Sequence, residues 1–104
     1  MLKINLEYKK GILFVRLKGN LNKTTAPRFR DYALPIINDY KIKYMVYNLN
    51  NLHVLDNVGK EVIRESSSCI KKHKGKVLLI NSKENKLNLD NLSNELVALE
   101  LLKI

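Results

Sequence analysis

The residues best placed to do chemistry in this chain of 104 are Leu55-Asp56-Asn57-Val58-Gly59. They lie between an apolar run, Tyr44 to Leu49, and a helical pattern that starts near Lys60. A strand that turns into a helix presents its connecting side chains and the helix's unpaired N–H groups at a surface, within reach of a ligand or partner. Asp56 can cap those N–H groups, border a binding surface, or do both. Gly59 fits a positive φ or a position too crowded for a Cβ. Val58 is either a core filler or an exposed apolar contact. His53, just before the tract, is a candidate partner contact. The run Ser66-Ser67-Ser68 reads as a polar helix face or as a phosphorylation target, and Cys69 as a small buried residue. No Ser/His/Asp order with supporting context, no catalytic carboxylate pair and no phosphate-binding loop occurs, so no catalytic residue is assigned. Two histidines and one cysteine far apart offer no metal-ligand spacing, and no cofactor is implied.

The elements that must position this tract follow from periodicity. Leu2, Ile4, Leu6 and Tyr8 alternate with polar residues as in a half-buried strand, and Lys9-Lys10-Gly11 turns the chain into a second strand, Ile12 to Lys18, ending at Gly19. Thr24 and Thr25 are N-cap candidates, with Pro27 in the first helical turn. Ala26, Phe29, Ala33, Ile36, Ile37 and Tyr40 form an inward stripe, and Pro35 predicts a kink or break near Leu34. Tyr44 to Leu49 reads as a central strand. Asn50, Asn51 and His53 then loosen the chain into a loop. From Lys60 to about Lys74, the residues Val62, Ser66, Cys69, Ile70 and His73 share a helix face, with His73 complementing the dipole and Gly75 ending the helix. Val77-Leu78-Leu79-Ile80 is a buried strand, and Ser93 to Ile104 a terminal helix with Leu96, Leu99 and Ile104 on one side.

Composition sets the limits. The length suits one domain over 1–104. An apolar fraction of 45% and a charged fraction of 28% are ordinary for a globular protein. No apolar run is long enough for a membrane span, and the first residues do not resemble a signal peptide. The single cysteine fits a reducing cytosol. The net charge of +9 is the oddity. Residues 1–80 carry 16 Lys/Arg against 6 Asp/Glu, and residues 81–104 carry 3 against 4. A basic body could attract nucleic acid, an anionic membrane or an acidic partner, or it could reflect a Lys-rich composition that merely solvates the surface. No basic run exceeds Lys71-Lys72-His73-Lys74, and Tyr and Phe are not interleaved with the basic residues in any recognised motif, which argues against nucleic acid.

Three blocks over residues 12–80 keep register without gaps. Gly19-Asn20-Leu21-Asn22 with Thr25-Ala26 resembles the Gly-Glu-Leu-Asp…Thr-Ala of STAS domains of the anti-sigma factor antagonist type. Met45 to Leu49 followed by Leu52 resembles the family's strand ending in Asp/Asn-Leu. Asp56 and Gly59, then Val62-Ile63 and Gly75, resemble its Asp-Ser-Ser-Gly signature and the helix behind it. The resemblance implies an α/β fold: a STAS-like mixed β-sheet with helices packed mainly on one face, order β-β-α-β-α-β-α, and a shortened C-terminus.

It also implies a cytoplasmic interaction module of transcription or stress regulation. Such a module docks an anti-sigma factor or related GHKL-type kinase-fold protein through residues 53–70. The partner-contacting positions it implies are Asn22, Thr24, His53, Asp56, Asn57, Val58, Gly59 and Arg64. In the family a partner kinase phosphorylates the second serine of the signature, and the phosphate breaks the complex. Val58 stands at that position and has no hydroxyl, and Asn22 stands where many relatives have aspartate. After Ile80 only 24 residues remain, so the family's third helix and fifth strand are expected to be missing or merged. An edge strand left uncovered favours self-association or partner docking. Two alternatives from other classes stay open: a small basic nucleic-acid-binding domain, and a scaffold subunit of a sensory assembly.

Overall fold

A computed structural model describes residues 1–80, 90–92 and 94–102. The order is β1 (Leu2–Lys9), β2 (Ile12–Leu21), α1 (Ala26–Asp39), β3 (Tyr44–Leu55), α2 (Asn57–Lys72), β4 (Lys76–Ile80), β5 (Asp90–Leu92) and α3 (Glu95–Leu101). The sheet runs β1-β2-β3-β4-β5 in sequence order, with β1 antiparallel to β2 and every later pair parallel. The hairpin closes at Lys10 and Gly11, whose φ angles of 54° and 81° give the double left-handed turn that matches strand twist. Right-handed crossovers between strands added in one direction put α1 and α2 on the same face. There they bury Leu13, Val15 and Leu17 of β2, Met45, Tyr47 and Leu49 of β3, and Val77 and Leu79 of β4. The alternate residues Ile12, Phe14, Val46, Leu78 and Ile80 point to the other face, which Ala98 of the short α3 and Leu102, its C-cap, cover. Burial on both faces is why Val77 to Ile80 reads as an unbroken apolar run.

The expected mixed sheet, helix arrangement and element order stand, with several corrections. The fifth strand is not missing: Asp90–Leu92 pairs with Leu78–Ile80. The expectation about a helix before it falls on residues 81–89, outside the described residues. α1 runs unbroken through Pro35. Pro35 and Asp31, whose carbonyl loses its partner, are both exposed, so water can take the orphaned bond. Tyr40 follows the helix as its C-cap and is exposed, not inward. β3 continues through Asn50, Asn51 and His53 to Leu55, because pairing with β2 outweighs local propensity. α2 starts three residues earlier than the pattern indicated, directly after Asp56, and His73 is its exposed C-cap. The left-handed position behind α2 belongs to Lys74, at φ 61°. Gly75 is needed for closeness instead, since a Cβ there would come 2.1 Å from the Lys43 carbonyl oxygen. On α3, Ala98 and Leu102 face inward while Leu96 is exposed and Leu99 half-buried; Ile104 lies outside the described residues.

Candidate functional site

The site is built where β2 and β3 end side by side, at the carboxyl edge of the parallel part of the sheet, a common place for recognition in α/β folds. Asp56 joins the two strand ends. Its backbone N–H donates to the Leu21 carbonyl at 3.3 Å. One carboxylate oxygen accepts from the Gly59 N–H at 2.9 Å, capping α2, and the other accepts from the Lys23 N–H at 2.9 Å, holding the β2–α1 loop. These bonds to the ionised form, the one from Gly59 foremost, hold the Asp56 carboxyl below its usual value. Capping and site-building are thus one act, and both readings of Asp56 apply.

Gly59 is a contact position rather than a conformational one. A Cβ there would sit 2.4 Å from the Leu21 carbonyl oxygen and 3.0 Å from the Leu21 and Leu55 side chains. Only glycine lets the first turn of α2 lie against the ends of β2 and β3.

Asn22 spends its side-chain oxygen on the N–H groups of Thr24 and Thr25, at 3.0 and 3.1 Å, and its own N–H donates to Thr25 Oγ1. Thr25 Oγ1 donates in turn to the Asn20 carbonyl at 2.7 Å. Neither threonine side chain therefore caps α1 as expected. Thr25 occupies the N-cap position without a side-chain cap bond, and Asn22 performs the local turn-holding instead.

Seven of the eight positions named from the sequence gather at this end: Asn22, Thr24, His53, Asp56, Asn57, Val58 and Gly59. His53 is exposed at an irregularity of the β2–β3 ladder, where Gly19 pairs with Leu52 and Asn20 with Val54. It is the extra residue of a bulge, a device that re-aims side chains at a strand end. Arg64 stands apart, nearly two turns along α2, bonded to Glu61 at 2.7 Å. Val58 is 42% exposed and is no core filler. Sequence reading missed Val54, 44% exposed on the other side of Asp56, and Lys23, whose backbone links the two loops. A valine in a strand carries no signal of exposure, and a backbone donor carries none at all.

The surface offers apolar contacts (Val54, Val58) flanked by polar groups (Thr24, His53, Asn57), a mixture suited to a protein partner. Among the described residues no three His, Cys, Asp or Glu side chains cluster to hold a metal, and no helix is long and apolar enough to cross a membrane. The serine run is not offered at this surface. Ser66 and Ser67 are buried and donate to the Ile63 carbonyl at 2.9 and 2.7 Å, while Ser68 is exposed. Three of the four arginines are paired with carboxylates: Arg16 with Glu7 and Glu95, Arg30 with Glu65, and Arg64 with Glu61. Guanidinium forks engaged in this way are poorly disposed to read phosphates.

The geometry is that of the STAS fold. The structure is similar to that of the anti-sigma factor antagonist SpoIIAA in its unphosphorylated form, with a TM-score of 0.82 at 16% identity over 97% of this chain and 98% of that one. The phosphorylated form of SpoIIAA, from Bacillus, gives 0.77 at 14% identity over 95% and 99%. An anti-sigma factor antagonist from Mycobacterium paratuberculosis gives 0.85 at 16% identity over 100% and 96%. The sequence itself matches the STAS domain over residues 3–94, and the chain belongs to that family.

Proposed function

We propose that this STAS domain is a protein-interaction module of the anti-sigma factor antagonist type. It binds an anti-sigma factor or related GHKL-type kinase-fold protein in the cytoplasm, without catalysing a reaction. One observation carries the reading: Asp56 ties the start of α2 to the β2–α1 loop and leaves Val58 exposed between them. This is the position the family resemblance assigns to the phosphoacceptor serine. A hydroxyl there would make a switch; a valine makes a permanent apolar contact. Adding charge at that point is how a phosphate would disrupt docking, by repulsion and by desolvation of the new charge. The chain keeps the binding surface and lacks that means of release, so competition, abundance or another signal governs the complex.

Calorimetric titration of the full chain against a kinase-fold anti-sigma factor tests this. Val58→Glu is expected to weaken binding about ten- to a hundredfold, some 1.4–2.7 kcal/mol. Val58→Ser is expected to become a substrate for the partner's kinase with ATP, and to lose affinity once modified. The unaltered chain is expected to bind equally well before and after ATP. If it is phosphorylated elsewhere and released, the constitutive reading fails. If only nucleic acid is bound, with affinity falling steeply in salt, the whole assignment fails.

A further inference from the structure

The outer edge of β1 lies at the opposite end of the sheet from β5, and among the described strands only β2 pairs with β1. β1 is eight residues long, contains no proline and pairs with β2 without a bulge. Sheet edges are commonly blunted by prolines, bulges or charged side chains, and β1 has charges only toward its two ends, at Lys3, Glu7 and Lys9, on the face away from α1. The middle of this one is Asn5 and Leu6. Two further features sit beside it. Tyr8 is 64% exposed although it belongs to the row of Leu2, Ile4 and Leu6 that faces α1. A hollow of about 490 Å³ opens between β1 and α1, lined by Leu2, Ile4, Thr25, Arg28, Asp31 and Tyr32. An exposed phenol at one end of a strand, and at the other end a hollow walled by Leu2, Ile4 and Tyr32 with a polar rim, are the two halves of a self-complementary contact.

We infer that β1 is a dimerisation edge. Two copies pair antiparallel about Asn5, and Tyr8 of each copy enters the β1–α1 hollow of the other. The register follows from the side chains. Centred on Asn5, the pairing sets Leu2 opposite the second copy's Tyr8, Ile4 opposite its Leu6, and Lys3 opposite its Glu7. Apolar residues meet apolar residues on the α1 face, and unlike charges meet on the other. A slip of one residue puts every apolar side chain opposite a polar one. A slip of two residues toward the C-terminus sets Lys3 opposite Lys9. A slip of two the other way leaves Lys3 opposite Asn5 and Glu7 with no counterpart within the strand. Such a contact is isologous and closed: it forms a continuous sheet across a two-fold axis and stops at two copies. Arg28 and Asp31, both exposed in the lining of the hollow, supply hydrogen-bond partners for the incoming Tyr8 hydroxyl, which a half-buried tyrosine requires. The interface is small, one strand pair and two rings, so dissociation constants in roughly the micromolar range are expected. Its hollow borders the Asp56 surface through Thr25, which is bonded to Asn22, while the strand pair itself runs along the outer edge of β1.

Sedimentation equilibrium of the full chain, up to about 100 µM, gives the test. The unaltered chain is expected to be a dimer at the top of that range. Glu7→Lys sets lysine opposite lysine in the favoured register and is expected to shift dissociation at least tenfold toward monomer. Arg16 keeps Glu95 as a partner in that variant, and a thermal melt in dilute solution verifies that it folds. Combining Lys3→Glu with Glu7→Lys restores unlike charges and is expected to restore the dimer. Tyr8→Ser is expected to weaken it with both charges intact. A monomeric unaltered chain overturns the inference, as does one that gains mass only when a different protein's strand is added. A dimer indifferent to Glu7→Lys, or one the charge exchange does not rescue, also overturns it.

Discussion

At the scale of single residues, Asp56 determines most of what the site is. Its carboxylate accepts from Gly59 and Lys23, so one side chain starts α2 and fixes the loop before α1. Both bonds are stronger to the ionised form, the one from Gly59 foremost, and the folded-state pKa is therefore depressed below the ordinary 3.8. The sign follows from linkage. A depressed carboxyl pKa adds stability that is complete above the unfolded value and lost as pH falls through the folded one. Asp56→Asn keeps a side-chain acceptor for the cap but has no charge to titrate. The stability gap between it and the native chain is expected to be flat above about pH 5 and to close below about pH 4, as urea melts across pH would show. A gap that persists undiminished at the lowest pH would mean that the two N–H bonds contribute through geometry alone. Gly59 is as decisive, because the 2.4 Å approach to Leu21 leaves room for no other residue without movement. Both residues are visible in the sequence as part of a tract. That they act on Leu21 and Lys23, more than thirty positions away, is not.

Among the elements, α2 carries a polar device inside its packed face. Ser66 donates to the Ile63 carbonyl. With its one proton spent there, its oxygen accepts from the hydroxyl of the fully buried Tyr47 on β3. Burial pushes the Tyr47 phenol pKa well up, so it stays a neutral donor. Its ring also meets Phe29 of α1 edge-on, with centroids 6.3 Å apart, so three elements converge on one side chain. Ser66→Ala leaves a buried hydroxyl unpaired and is expected to cost about 1–3 kcal/mol in chemical denaturation. Tyr47→Phe alone should cost about 1 kcal/mol, and the double variant less than the sum of the two, because both polar ends are removed together. Strict additivity would show that the contact contributes nothing specific. A serine run at this position reads from sequence as a solvated face or a modification site. Its first two members are instead interior, since the tyrosine that satisfies one of them lies on a strand nineteen residues earlier.

At the scale of the whole molecule, the two faces of the sheet are covered unequally among the described residues. α1 and α2 close one face with a broad apolar core, whereas the other depends on the seven-residue α3. A helix that short does not persist alone in water. Besides Ala98 and Leu102, polar groups hold it: Glu95 receives Arg16 through both oxygens at 2.7 and 2.8 Å, and the Asn48 amide at 2.9 Å. The bond from Arg16 is the main reason the Glu95 carboxyl titrates below its usual value. Its anchoring therefore persists at neutral pH and is lost as pH falls through that depressed value. Glu95→Gln is expected to cost about 1 kcal/mol and to speed amide exchange in α3 severalfold while leaving α1 and α2 protected. Equal acceleration in all three helices would mean that α3 opens only with the whole molecule.

The sequence by itself determined the kinds of element, the parallel pairing of β2, β3 and β4, and the tract at the head of α2. Alternation, helical stripes, capping residues and the right-handed crossover preference are local or near-local rules, and the family's motifs lie within single segments. Tertiary structure decided the rest. It carried β3 through Asn50, Asn51 and His53, because pairing along β2 stabilises what local propensity opposes. It added β5 on the far edge and took α2 back to Asp56 through bonds to a distant loop. It left Val58 and Tyr8 in solvent. Exposure depends on which surfaces meet, and no residue's own chemistry specifies that in advance.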